Sequence, residues 1–221
     1  MIAGKPLIEW VYRGASRVRG ATRVIVATDD ERIARVVRSF DGDLVLTRAD
    51  HATGTDRVAE VAKALRVEVI VNLQGDEPIF DPLMVEAMVT RLARVPEADI
   101  VTACHSIHDA ESIHSPHVVK VVMDRHGRAL YFSRAPIPSG AAADAAGAFR
   151  HIGVYAFRRD ALTRFTKLPR TPLEISERLE QLRALENGMR IDVVESDRTT
   201  VGVDVPADIK KVERAMQESL D

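Results

Sequence analysis

Val67-Glu68-Val69-Ile70-Val71-Asn72-Leu73, running into Gln74-Gly75-Asp76-Glu77-Pro78, decides the fold class. The β-branched apolar run reads as a strand covered on both faces, the habit of parallel sheets. Gly75 lets a ligand approach the backbone closely, and Pro78 ends the strand and biases Glu77 toward extended geometry. Asp76 is therefore offered at the carboxyl end of a strand, where open α/β sheets bind ligands. A carboxylate beside a glycine there suits Mg²⁺ shared with nucleotide phosphates. It equally suits an ordinary strand-to-helix turn with Asp76 as a cap.

Working outward, strands and helices alternate. Pro6–Val18 reads as an amphipathic helix and Val24–Ala27 as a short strand. Thr28-Asp29-Asp30 can cap a helix carrying Ile33, Val36, Val37 and Phe40. Leu44–Leu46 is a strand, Thr55–Leu65 a helix, Pro82–Ala93 a helix and Ile100–Cys104 a strand. This implies an α/β fold with a mostly parallel, doubly covered sheet. The pattern then changes. Val118–Met123, Leu130–Phe132 and Ile152–Phe157 are strands with little helix between them, so 118–157 reads as an antiparallel excursion. The small-residue stretch 139–148 reads as a mobile surface loop, although its alanines could also make a helical turn. Leu173–Asn187 is expected as one helix stopped by Gly188, Ile191–Glu195 as a strand, and Pro206 as the opening of a last helix. The chain is read as one domain over 1–221.

Bulk properties narrow the function. With 221 residues, 46% hydrophobic and 29% charged, the chain resembles a soluble enzyme. A net charge of −2 gives no basic field for nucleic acid. No apolar stretch spans a bilayer and the N-terminus is not a signal peptide, so the expected location is the cytoplasm. The single cysteine, Cys104, lies in an apolar run and reads as a buried structural thiol.

Three further constellations carry chemistry. Gly202-Val203-Asp204-Val205-Pro206 repeats the glycine–aspartate logic where an extended segment meets a helix. Asp204 reads as a second Mg²⁺ carboxylate or as that helix's cap. Asp50–Arg57 is a glycine-containing loop entering a helix. Thr53 and Gly54 there can hold an anion or a base and Arg57 can reach a phosphate, or the loop simply caps the helix. Finally, Arg134 lies just past a strand, and His151, Gly153 and Tyr155 share a face by period two. With Glu177, Glu180 and Gln181 they can line a pocket for a polyhydroxylated acid, although such residues also serve packing or solvation.

Five ordered stretches carry a resemblance: Val69–Pro78, Ala129–Pro138, Arg150–Tyr155, Leu179–Arg183 and Gly202–Pro206. Together they are similar to the CMP-KDO synthetase (3-deoxy-manno-octulosonate cytidylyltransferase) family, from Gly4 to about Val212. The resemblance implies a Rossmann-like fold of the nucleotide-diphospho-sugar transferase type. The activity implied is transfer of CMP from CTP to 3-deoxy-manno-octulosonate (KDO), releasing pyrophosphate, for lipopolysaccharide biosynthesis. It implies Mg²⁺ on Asp76 and Asp204, the nucleotide on Thr53, Gly54, Arg57, Gln74 and Gly75, and the sugar acid on Arg134, His151, Tyr155, Glu180 and Gln181. It also implies a homodimer, with 118–157 serving sugar binding or dimerisation.

The chain departs from the family pattern at its start. Family members open with a strand reading roughly Val-Ile-Ile-Pro-Ala-Arg and a phosphate-holding loop before Gly-Lys-Pro-Leu, whereas this chain opens at Met1-Ile2-Ala3-Gly4-Lys5-Pro6-Leu7. A misplaced start codon or a truncation is the expectation, and with it weak or no activity for the polypeptide as written. Ala52, Ser139 and His117 are smaller departures that bear on substrate selectivity. The competing readings are a cytidylyltransferase for another acid sugar and a non-catalytic binding or dimerisation remnant.

Overall fold

The computed structural model describes residues 1–139, 147–198, 200, 202, 203 and 208–218. The chain divides into two compact units. One comprises Met1–Val67, Asn72–Glu86 and Arg198–Asp221, the other Glu68–Val71 and Ala87–Asp197.

In the first unit, α1 (Leu7–Ala15) buries Val11 and Ala15. Glu9 is buried beside them, and Arg13, one turn on, neutralises it at 2.7 Å. β1 (Val26–Thr28) pairs in parallel with β2 (Leu44–Leu46), Val26 opposite Leu44. Between them runs α2 (Glu31–Ser39), with Ala34 and Val37 turned inward. Asp30 caps α2 by accepting the Arg32 N–H at 2.7 Å, one of the donors a helix start leaves without a partner. α3 (Gly54–Lys63) buries Thr55, Ala59, Val61 and Ala62.

The second unit is built on a six-stranded sheet. Its elements are β3 (Val69–Asn72), α4 (Pro82–Arg94), β4 (Ile100–Ser106), α5 (Ala110–His114), β5 (Lys120–Met123), β6 (Ala129–Ser133), β7 (Phe149–Arg158), α6 (Arg159–Phe165), α7 (Pro172–Glu177), α8 (Gln181–Glu186) and β8 (Ile191–Glu195). The unit boundary falls within β3 and α4 along the chain. Strand order is β6-β5-β7-β4-β8, with β3 also paired to β7. β4 and β8 run parallel, whereas β4–β7, β5–β7 and β5–β6 are antiparallel. The antiparallel excursion expected over 118–157 is thus β5, β6 and β7. β4 is buried at its first five positions, as a strand covered on both faces should be. Met88, Leu92, Phe132, Ile152, Phe157, Phe165 and Leu182 form much of the surrounding core. Cys104 lies in it fully buried, and burial pushes its thiol up to about 12, so it stays an inert packing group. The last helix, α9 (Asp208–Glu218), belongs to the first unit and buries Val212.

Two buried carboxylates of the second unit are ion-paired. Asp192, with no exposed surface, receives Arg91 and Arg190, each at 2.8 Å. Arg183 grips Glu174 with Nε at 2.9 Å and Nη2 at 2.8 Å and stacks on Phe165 at 4.8 Å. Burial raises the Glu174 carboxyl, but the Arg183 hydrogen bonds and charge outweigh it and hold the group below the usual carboxylate range.

The structure differs from the sequence expectation in one helix. Leu173–Asn187 is not continuous: α7 ends at Glu177, and Arg178 takes a left-handed conformation with φ 56° and ψ 46°. A non-glycine residue there costs roughly 1–2 kcal/mol. The break is held by the Arg178 and Leu179 N–H groups, which both donate to Glu174 O. Gly188, with φ 72°, does end α8 as expected. Most of the expected loop 139–148 and the Pro206 helix start lie outside the described residues. No helix among the described residues is long and apolar enough to cross a membrane.

Candidate active site

Gln74, Gly75 and Asp76 lie exposed just beyond β3, on the first unit. The Asp76 carbonyl accepts the Val203 N–H at 2.8 Å. A Cβ on Gly202 would sit 3.6 Å from that same carbonyl oxygen and 3.7 Å from Glu77 Cγ. The two glycine–aspartate motifs, far apart in sequence, are therefore side by side as far as Val203. Asp204 itself lies outside the described residues. Among the described residues no group of three or more His, Cys, Asp or Glu side chains forms a metal cage. A hard, solvent-facing carboxylate beside a glycine nonetheless fits Mg²⁺, which takes one or two protein carboxylates and completes its shell with phosphate and water.

The Asp50–Arg57 loop is a working cap. Thr53 Oγ1 accepts the Asp56 N–H at 3.2 Å and donates to Asp56 Oδ2 at 3.0 Å. Gly54 opens α3 with nothing within 4 Å of where a Cβ would stand, so its main chain is open to a ligand. Arg57 is committed to its own unit. Its Nη1 donates to Thr47 Oγ1 and, at 3.2 Å, to Arg48 O, and it pairs with Asp29 at 3.0 Å. It ties together the chain beyond β1 and β2, a structural task that spacing did not reveal. The His51 ring pairs with Glu60, fixing the loop to α3.

On the second unit, Glu177 organises the end of β6. Its Oε1 accepts Ser133 Oγ at 2.7 Å and the Tyr131 hydroxyl at 3.4 Å, and its Oε2 accepts the Arg134 N–H at 2.9 Å. Burial raises the Glu177 carboxyl, but these hydrogen bonds and the Arg134 charge together bring it below its ordinary range. Arg134 returns Nε to Glu177 O at 3.0 Å and Nη1 to Pro116 O at 2.9 Å. From the other side, the buried Lys120 donates to Ser115 O at 2.9 Å, Val118 O at 2.7 Å and Arg134 O. Lys120 was missed in the sequence. Its signal was a lysine within the apolar strand Val118-Val119-Lys120-Val121-Val122, where only a fully paired cation is tolerated.

His151 and Tyr155 are brought together on β7, ring centroids 5.5 Å apart, with Phe132 edge-on to His151 at 4.9 Å. They do not follow plain period two. Thr102 pairs with Tyr155 and Ala103 with Ile152, so Gly153 and Val154 bulge out of the ladder. Thr102, fully buried, places Oγ1 2.9 Å from His151 Nε2, 3.1 Å from Ile152 O and 2.8 Å from Val154 O. Burial drives the His151 imidazole down to about 3, so the ring is neutral. Gln181, 5% exposed at the start of α8, has an amide nitrogen with no hydrogen-bond partner among the described residues. Beside it, Glu180 pairs with Arg183 at 3.4 Å. Of the four groups expected to meet a hydroxylated carboxylic acid, His151 and Tyr155 stand ring to ring on β7, Arg134 lies at the end of β6 and Gln181 at the start of α8.

Comparison with known proteins identifies the family. The cytidylyltransferase family profile matches residues 1–191. The 3-deoxy-manno-octulosonate cytidylyltransferase of Syntrophotalea carbinolica is 50% identical over 221 residues, covering 96% of this chain and 88% of that protein. The enzyme of the same name from Solibacter usitatus is 48% identical, covering 99% of this chain and 87% of that protein. A solved CMP:2-keto-3-deoxy-manno-octonic acid synthetase complexed with CTP superposes with a TM-score of 0.93 at 41% identity, covering 99% of this chain and 90% of that one.

Proposed function

The chain belongs to the 3-deoxy-manno-octulosonate cytidylyltransferase family, and from that premise we propose that it transfers CMP from CTP to KDO, giving CMP-KDO and pyrophosphate. The geometric observation that carries the sugar-acid side is Gln181. Its buried amide nitrogen has no partner among the described residues, a state that costs roughly 1–3 kcal/mol, and a substrate hydroxyl would satisfy it. Arg134 is assigned to the carboxylate, and His151, Tyr155, Gln181 and Glu180 to the hydroxyls. Thr53, Gly54, Gln74 and Gly75 are assigned to the nucleotide. Arg57 holds the surrounding loops and meets a phosphate only by giving up Asp29.

The reaction is attack of the anomeric hydroxyl of KDO on the α-phosphorus, with pyrophosphate leaving in line. Both reactants are anions, and two unit charges ~4 Å apart repel by roughly 4 kcal/mol at an effective dielectric of about 20. Mg²⁺ bound to Asp76 and Asp204 would offset that repulsion and the charge developing on the phosphates. The protein's own share is orientation. Arg134 is fixed at both main-chain ends by Glu177 and Lys120, and the neutral His151 is assigned to a hydroxyl of the acid sugar. A reaction fed by a nucleoside triphosphate suits the cytoplasm. A homodimer through the excursion is supported by Leu130, which stands 58% exposed on the edge strand β6. The test is pyrophosphate release from CTP on addition of KDO against a panel of other acid sugars. Release with KDO supports the reading, and release only with another acid overturns its substrate.

A further inference from the structure

We propose that Thr102 is a positioning residue for the sugar-acid face of β7: its hydroxyl plugs the Gly153–Val154 bulge and holds His151 as the Nε2–H tautomer, presenting Nδ1 as an acceptor. This rests on the reading of that face given above. The argument is a proton count. A threonine hydroxyl carries one proton and accepts through its lone pairs. Ile152 O and Val154 O, at 3.1 and 2.8 Å, can only accept, so the hydroxyl proton goes to them. The remaining neighbour, His151 Nε2 at 2.9 Å, must then donate. The opposite tautomer would turn the hydroxyl proton to the ring and leave its oxygen against two carbonyl oxygens with nothing between. A neutral imidazole with Nε2 protonated has its other nitrogen unprotonated, so what it offers a substrate hydroxyl is an acceptor. The same hydroxyl joins the carbonyls of Ile152 and Val154, which lie on either side of Gly153 in the bulge and next to His151 and Tyr155.

The experiment has two readouts. ¹⁵N-histidine NMR of the intact chain at neutral pH, with the His151 signals identified by their loss in His151→Gln, should give a protonated Nε2 and an unprotonated Nδ1. Thr102→Val keeps the shape but loses the hydroxyl. It should mix the two tautomers and raise the KM for the acid sugar about five- to tenfold, leaving the KM for CTP unchanged. Thr102→Ser should restore both. If Thr102→Val does not fold, the wild-type signature and the Thr102→Ser kinetics decide. A wild-type ring protonated at Nδ1, or a folded Thr102→Val with unaltered acid-sugar KM, overturns the proposal. A chain that turns over no acid sugar defeats the functional reading instead, and the tautomer signature still tests the role of Thr102.

Discussion

The Val203 N–H donates to the Asp76 carbonyl at 2.8 Å, across more than half the length of the chain. That bond attaches the second glycine–aspartate segment to the first. A Cβ added at position 202 would meet Asp76 O at 3.6 Å and Glu77 Cγ at 3.7 Å, ordinary contact distances, so a methyl fits there and only the branches of a larger side chain press on the junction. Gly202→Val would crowd this junction and lower Mg²⁺-dependent turnover more than stability, which parallel kinetic and denaturation measurements would detect.

Glu177 gathers Tyr131, Ser133 and the Arg134 N–H at the end of β6, although sequence reading offered it only as one lining residue. Glu177→Gln puts an amide donor where the carboxylate accepts both a hydroxyl and a main-chain N–H. Stability should fall by about 1–3 kcal/mol and the KM for the acid sugar should rise. Denaturant titration and Michaelis kinetics check the two effects together.

Acid should weaken the fold through His151. Its folded-state pKa, about 3, lies below the ordinary 6.5. As pH falls below about 6.5 the unfolded chain takes up a proton that the folded chain refuses, so the unfolded state gains. The contribution is complete above pH 6.5, is eroded from there down toward pH 3, and is flat below. One such proton is worth about 1.4 kcal/mol per pH unit. Chemical denaturation at pH 7 and pH 5 should show this slope, and His151→Gln should remove it.

The Arg183–Glu174 pair should behave as a buried ion pair. Arg183→Met alone leaves the buried Glu174, among the described residues, with only the largely exposed Arg170, at 3.4 Å, and the Thr171 N–H, at 3.3 Å, and should cost about 3 kcal/mol. Replacing both, with Arg183→Met and Glu174→Leu, should recover most of that loss. A single variant as stable as the wild type would mean the pair is solvated in solution.

Much of the fold was legible because its strands are β-branched runs and its helices carry the expected caps, as at Asp30 and Thr53. The exceptions have a common cause, which is tertiary contact. Nothing local marks Arg178 as a left-handed stop, since contacts with Glu174 and the anchoring of Glu177 decide it. Nor does anything local mark the β7 bulge, because the residue that plugs it, Thr102, sits on another strand. Arg57 was read as reaching a phosphate, and spacing could not reveal that Asp29 and Thr47 also reach it. The pairing of His151 with Tyr155 was legible, but its geometry comes from the bulge rather than from simple alternation.

The most direct test of the account is turnover of CTP and KDO by Asp76→Asn beside the wild type, in saturating Mg²⁺ and again after chelation. Asp76 is exposed, so the variant should melt with the wild type. Its kcat/KM should fall by at least about a hundredfold, and chelation should silence the wild type to a similar level. A folded Asp76→Asn enzyme making CMP-KDO at the wild-type rate would contradict the placement of the chemistry at this carboxylate.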